Sequence, residues 1–397
     1  MKINVENFII RLLYMVAAGI VITQALGLKS LASLLFTGTF LLVLMLWFAV
    51  SQKRITKLNV MAIIIVVVAI TNVLLNALFT GTILSFSYMK KVIMFSSTIL
   101  FFVAASEADV HISNRVFINR MVNFVSCFLI IMYYLQSSSM HLFYGQVTNY
   151  LTFRFTNPNL TAMFLISMLF CKIINMLQEK RKAVRFLDFI IAAFLFKFMM
   201  ETKSRNCMLV FAIFIMQMIV YYRMPKIKIF SKKIYAKIMA VWPLIFAIVY
   251  MLVVQIPVIS QIFSFMISEG KGITSRYRLW SSAFKFVYNS PIIGAYSQIS
   301  MGTGESHMHN SHMEVMASYG VLVLIIVCVF LYTVIWNKIR SNSSAGNMLY
   351  NISFASVLLV GMGEAALFSG GIGVYLFVGM LLLFNNDKSL SGDIKLK

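Results

Sequence analysis

Leu58-Asn-Val-Met-Ala-Ile-Ile-Ile-Val-Val-Val-Ala-Ile-Thr-Asn-Val-Leu-Leu-Asn-Ala-Leu-Phe79 contains no charge, and Lys53, Arg54 and Lys57 stand just before it. A helix needs about 20 mostly apolar residues to cross the hydrocarbon core of a bilayer, so this run reads as a membrane span with a basic flank. Outward from it, similar runs recur at 8–28, 31–50, 86–105, 117–135, 160–178, 186–200, 207–222, 238–258, 315–336, 348–366 and 370–384. Together they make twelve, and 186–200, 207–222 and 370–384 have the least sharply marked ends.

Composition points the same way. Of the 397 residues, 60% are hydrophobic and 12% charged, against about a quarter charged in soluble domains. That charge cannot cover a soluble domain of this size, which excludes a soluble enzyme, a disordered chain and a secreted disulfide scaffold. Cys127, Cys171, Cys207 and Cys328 lie far apart in or beside apolar runs, with no CxxC. They read as small buried hydrophobes. The first run follows Lys2 without a small-residue cleavage site before a polar segment, so it reads as a retained helix.

The formal charge is +22, from 34 Lys and Arg against 12 Asp and Glu. In a soluble chain this would point to nucleic acid; here the placement of the charges decides. With the N-terminus inside, 21 of the 34 cations fall in inner segments, including Lys180, Arg181, Lys182 and Arg185, and Arg223 to Lys237. The alternation holds across all twelve spans, with Lys90 and Lys91 as exceptions near the outer start of 86–105. The expectation is an all-α polytopic membrane protein with about twelve transmembrane helices. It is one integral membrane domain over 1–397 with both termini cytoplasmic, lipids around it and no nucleic-acid partner.

Two outer loops are long, 136–159 and 259–314, and the second is too long for a connector. Within it Thr274 or Ser275 can cap a helix that Asn289-Ser290-Pro291 ends. Trp280, Ala283, Phe284 and Val287 fall on one stripe, with Arg278, Ser281, Ser282, Lys285 and Asn289 largely opposite. The pattern predicts a short amphipathic helix lying on the outer membrane surface with its aromatic side down. Gly294, Gly302 and Gly304 then imply a flexible segment leading to Glu305-Ser-His-Met-His-Asn-Ser-His312.

There is no phosphate-binding glycine loop leading into a helix and no DxD pair outside. The outward acids are few (Glu201, Glu269, Glu305 and Glu314), so a Mg²⁺-dependent transfer lacks carboxylates to hold the ion. No cofactor is expected. The informative outward residues are cations where the charge rule disfavours them: Arg154, Lys203, Arg205, Lys271, Arg276, Arg278 and Lys285. Arginine binds phosphate bidentately and stays charged, so several of them suit a lipid diphosphate; alternatively each pairs with a headgroup or a local carboxylate. Were the backbone helical through Glu201-Thr-Lys-Ser-Arg205, then Lys197, Glu201 and Arg205 would share a face, as an ion-pair ladder or as surplus charge for an anionic substrate. His307, His309 and His312 could supply a general base, a Zn²⁺ or Cu²⁺ site, or a solvated loop tip. Glu364, inside an apolar run, either makes an interhelical hydrogen bond or pairs with an outer arginine. Lys172 and Asp188 read as structural or near the inner interface, and the many Met and Phe as packing.

The outer-loop residues also carry a resemblance. Ser275-Arg276-Tyr-Arg-Leu-Trp280, then Ser290-Pro291-Ile-Ile-Gly294, then His309-Asn310, then Gly320, resembles the C-terminal signature of the O-antigen ligase and polysaccharide polymerase family. Thr202-Lys-Ser-Arg205 looks like the family's Thr-x-Ser-Arg at an outer helix end, and Arg154-Phe-Thr-Asn-Pro-Asn159 like its Asn-Pro-Asn before a span. The chain departs from that pattern in having Gly294-Ala-Tyr296 for a Gly-x-Gly, with His307 and His312 additional.

The resemblance implies a metal-independent glycosyltransferase of the C type, in the bacterial cytoplasmic membrane, whose donor is a glycan on undecaprenyl diphosphate. It maps the family's arginines onto Arg205 and Arg276 and its loop histidine onto His309. Arg154, Arg278 and Lys203 would assist in binding substrate, His309 would accept the proton of the attacking hydroxyl, and Asn310 would orient that hydroxyl. A polymerase of O-antigen, capsule or exopolysaccharide repeat units is favoured, since low Pro with high Lys, Ile, Asn and Met suggests an AT-rich genome. A ligase with another acceptor, or a lipid-linked oligosaccharide flippase, are the alternatives, and a chain-length regulator is a conceivable partner.

Overall fold

Helix ends fall where the sequence supplies caps and breakers. In the computed structural model, which describes residues 5–35, 41–50, 55–81, 86–107, 112–136, 140–143, 146–155, 158–224, 228–257, 273–295, 308–341 and 345–364, the chain is helical almost throughout. The helices are α1 (Val5–Ala25), α2 (Lys29–Leu34), α3 (Leu41–Val50), α4 (Lys57–Thr80), α5 (Phe86–Glu107), α6 (Ile112–Leu135) and α7 (Pro158–Gln178). There follow α8 (Lys182–Glu201), α9 (Arg205–Arg223), α10 (Lys233–Val253), α11 (Ile273–Asn289), α12 (Ser311–Tyr319), α13 (Val321–Ser341) and α14 (Ala345–Leu358). A 3₁₀ turn, Leu359–Met362, prolongs α14. Leu142–Phe143 pairs antiparallel with Gln146–Val147 in a two-residue ladder.

The deciding run behaves as its chemistry requires. Thr56 caps α4 by accepting the Asn59 N–H, and Gly81 ends it in the left-handed region. Val60, Ile63, Ile64, Val67, Ile70, Leu74 and Leu78 form an exposed apolar stripe, while Asn72 and Asn76 are buried. That polarity is reversed from a water-soluble helix and suits a lipid surround. Near the centre, α7 is buried almost continuously from Thr161 to Asn175, and α14 packs on α7, α9 and α10. Lys172 of α7 pairs with Asp188 of α8 at 2.9 Å and also meets Asn123 of α6, so that charge is neutralised between helices.

Among the described residues seven helices are long and apolar enough to cross a membrane: Asn7–Ala25, Lys57–Thr80, Val116–Leu135, Pro158–Gln178, Arg205–Arg223, Lys233–Val253 and Val321–Arg340. This is fewer than the twelve expected, for identifiable reasons. The run 31–50 divides into α2 and α3, α8 carries charges at both ends, and the helix within 348–366 stops at Met362. The run 86–105 forms α5, whose side chains are described only in part, and the run 315–336 is broken at Gly320, so that its first residues belong to the nine-residue α12 and the crossing helix is Val321–Arg340. The run 370–384 lies outside the described residues, as do Lys271, Glu269, Glu305 and His307.

The junctions gather at two ends. At one, Thr56 hydrogen-bonds Glu107, Lys338 donates to the Ser106 carbonyl, and Lys233 lies over the Trp336 ring. These are segments the charge alternation assigned to the inner side. Elsewhere the Leu151 N–H donates to the Glu201 carbonyl, and Arg154 reaches Leu26 and Gln136, which joins segments assigned to the outer side.

Candidate active site around Glu364

The loop between α10 and α13 is organised by α11. Its end at Asn289 matches the expected stop, and it already runs from Ile273, so Thr274 and Ser275 lie in its first turn. The stripe expected to lie on the membrane is turned mainly into the protein, and of its four residues only Phe284 is exposed. Trp280 and Ala283 are fully buried, with the Trp280 ring 5.2 Å from Tyr250 and 6.4 Å from Phe246 of α10. The indole N–H donates to the Met308 carbonyl at 2.7 Å. A buried indole needs such an acceptor, and here the acceptor fixes the residue before His309.

Asn310 caps α12 by accepting the N–H groups of His312 and Met313, each at 3.0 Å. Its amide donates to the Pro243 carbonyl at 2.8 Å and the Met362 carbonyl at 3.1 Å, and the residue is fully buried. All its hydrogen-bonding groups are thus engaged by protein. The expected contact of Asn310 with a substrate hydroxyl is corrected to that of a positioning residue. His312 is likewise buried, its Nε2 2.7 Å from the Ala240 carbonyl, and burial pushes its pKa down to about 4. It is therefore a neutral structural histidine near pH 7, and it faces α10 whereas His309 faces Glu364. Glu314 receives the Met308 N–H at 2.7 Å. Burial raises its pKa, opposed by that hydrogen bond and by the charge of Lys91.

The Pro-x-x-Gly turn and Gly320 form one unit. Gly294 and Gly320 both have positive φ, 78° and 89°. A Cβ on Gly294 would lie 2.7 Å from the Gly320 nitrogen, and one on Gly320 only 2.1 Å from the Ile292 carbonyl oxygen. The backbones therefore interlock, closed by the Val321 N–H to Pro291 and the Ala295 N–H to Ala317. Asn72 donates to the Ile292 and Tyr319 carbonyls and Asn76 to that of Gly294. This explains both asparagines in the apolar run: they hold the turn from below.

Glu364 is the point of convergence. One carboxylate oxygen accepts the Asn159 amide at 2.5 Å and lies 3.9 Å from Arg276 Nη2; the other is 3.4 Å from His309 Nδ1. Its backbone carbonyl takes the Ser311 hydroxyl at 2.9 Å. Gly363 makes room: a Cβ there would lie 3.0 Å from Arg276 Nη1 and from the amide of Asn206, which donates to Val360. Side chains from three other segments, Asn159, Arg276 and His309, thus meet at a carboxylate that is itself buried, while Arg276 and His309 remain partly exposed beside it.

The other expected residues are distributed around this cluster. Arg205 opens α9 as an exposed residue next to Asn206. The helix does not continue from Glu201 to Arg205, because Thr202–Ser204 form a turn with Lys203 at φ 53°, so the expected three-residue face is corrected to a Lys197–Glu201 pair at 3.7 Å. Lys203 stacks its ammonium 5.3 Å from the Tyr150 ring. Arg154 was expected to assist with the diphosphate; instead its guanidinium donates to Leu26 O at 2.7 Å and Gln136 Oε1 at 2.9 Å, tying α1 and α6 to the loop before α7. Arg278 is also corrected: two residues on from Arg276, it points about 200° around the helix, away from Glu364. Among the described non-glycine residues, Phe153, Arg154, Lys203 and His309 have positive φ. Such strain persists where surrounding contacts impose it, and three of these four are residues singled out from sequence.

No family model matches the chain, and it is similar to no curated protein and no solved structure. What the cluster can do therefore rests on its own chemistry. A histidine held by a carboxylate can accept a proton, and a guanidinium at the same carboxylate can meet an anion. Among the described residues there is no group of three His, Cys, Asp or Glu placed to hold a metal. Sequence reasoning gave Glu364 an interhelical hydrogen bond or an arginine partner, and the structure shows both, but it missed Asn159 as the donor, Asn206 beside Gly363, and Asn72 and Asn76 under the Pro turn. Polar amides inside apolar runs were the available signal.

Proposed function

We propose that the protein is a polysaccharide repeat-unit polymerase, transferring a growing glycan from undecaprenyl diphosphate to a new lipid-linked oligosaccharide at the outer face of the bacterial cytoplasmic membrane. The observation that carries this reading is the placement of His309 and Arg276 on opposite oxygens of Glu364, at the end of a bundle with several membrane-length helices. In this reading Glu364 orients the imidazole through Nδ1. Nε2 takes the proton of the attacking sugar hydroxyl as its oxygen bonds to the anomeric carbon. The bond from that carbon to the diphosphate breaks, and the electron pair leaves with the lipid diphosphate. Arg276, with Arg205 at the N-terminus of α9, meets the charge developing there; cations preset for that charge stabilise the transition state more than the ground state. The positive charge comes from side chains, so the reaction is read as metal-independent.

The test is purified protein in lipid with a synthetic undecaprenyl-diphosphate oligosaccharide, with and without a chelator. A ladder of products growing by one repeat unit, unchanged by the chelator, is expected. Consumption of donor with no lipid-linked ladder would instead favour a ligase acting on another acceptor, and translocation without new bonds a flippase.

A further inference from the structure

The outward side of α11 is not used by the cluster around Glu364. It carries an open, shallow surface groove formed by Ser281, Phe284, Lys285, Tyr288 and Asn289 of this one helix. Tyr288 is 88% exposed and Phe284, one turn before it, 38%. These two rings lie side by side at the i, i+4 spacing, and Ser281 and Lys285 continue the same strip. Arg278, one turn before Ser281 and Ser282, adds a second cation to this side, and α11 contains no Asp or Glu to neutralise either.

We infer that this face binds an acidic saccharide, by stacking sugar rings on Tyr288 and Phe284 and pairing uronate or phosphate groups with Lys285 and Arg278. The inference rests on the polymerase reading for the presence of a glycan at this end of the bundle. The chemistry of the face supplies the rest. Exposed aromatic rings offer an apolar surface to the C–H face of a sugar. Ser281 and Asn289 can both donate to and accept from hydroxyls. The two cations complement an anionic chain. A membrane surface fits less well: an interfacial helix needs its apolar side for lipid, and here Trp280 and Ala283 are buried in the protein instead. Tyr288 lies twelve residues from Arg276, roughly 18 Å along the helix axis. The groove is therefore a second holding point, away from the bond being made, and it would retain the growing chain between additions.

The test uses the full-length protein in detergent and measures binding of an oligogalacturonate, of a neutral malto-oligosaccharide of equal length, and of phosphatidylglycerol vesicles. The expected result is saturable binding of the oligogalacturonate, weakened about tenfold by Tyr288→Ala and weakened also by Lys285→Gln. Equal binding by wild type and by both groove variants overturns the proposal, as does absence of oligogalacturonate binding. Vesicle binding that Lys285→Gln abolishes, without saccharide binding, would make the face a membrane contact instead. Because the readout is binding, failure here leaves the transfer reaction to be judged by its own assay.

Discussion

Nδ1 of His309 lies 3.4 Å from Oε2 of Glu364, while the other oxygen of that carboxylate faces Arg276 Nη2 at 3.9 Å. The carboxylate therefore sets the orientation of both groups. Glu364→Gln keeps the size of the side chain but removes the charge between them. It is expected to lower kcat about ten- to a hundredfold, less than the loss from His309→Ala, which removes the base and should cost about 10²–10⁴-fold. Initial rates of glycan transfer at saturating donor measure both. Equal rates in Glu364→Gln and wild type would remove the carboxylate from the mechanism.

The interlock of Gly294 with Gly320 gives a stability prediction. A methyl group on Gly320 would stand 2.1 Å from the Ile292 carbonyl oxygen, at a φ of 89° that other residues rarely adopt. Gly320→Ala should therefore destabilise the fold by more than about 2 kcal/mol, read as a fall in thermal unfolding temperature. Gly81→Ala, where the added carbon meets nothing within 4 Å, carries only the backbone term and should cost clearly less.

Asn310 is tied by four hydrogen bonds to protein groups. Asn310→Ala removes the cap of α12 and leaves two buried carbonyls each short of a donor. A loss of about 1–3 kcal/mol in stability is expected, seen in thermal or denaturant unfolding. An Asn310→Ala protein of unchanged stability and reduced transfer would return this residue to the substrate.

Burial of neutral His312 makes stability depend on pH. Its pKa is depressed from 6.5 to about 4 in the folded protein, so the unfolded chain binds a proton first as pH falls. The contribution is fully present above pH 6.5 and is lost as pH falls towards 4, reaching roughly 3 kcal/mol. His312→Gln can still donate to the Ala240 carbonyl but does not titrate. Its unfolding free energy should change less with pH across that window than the wild type's; parallel curves would show that His312 is not the group responsible.

Much of this site was legible as spacing. Arg276 and Trp280 are one turn apart, and the helix does put the first at Glu364 and the second into the core behind it. The Pro turn and Gly320 could be named but not joined, since their contact is between backbones and depends on how distant helices pack. Arg154, Arg278 and Asn310 show a different limit. Residue type marks capacity for an anion or a hydroxyl, yet partners far along the chain decide its use: Leu26 for Arg154, Pro243 for Asn310. The span count fell short for a related reason. Hydropathy alone does not see the division of 31–50 into α2 and α3 or weigh the charges at the ends of α8.

The most direct measurement is the release of undecaprenyl diphosphate per glycosidic bond formed, using purified wild type and His309→Ala with a synthetic lipid-linked repeat unit. One lipid diphosphate released for each bond by the wild type, with both products lost together in the stably folded His309→Ala variant, is the result predicted. Folded wild type that releases none, or His309→Ala that forms bonds at the wild-type rate, would contradict the assignment of transfer chemistry to the cluster around Glu364.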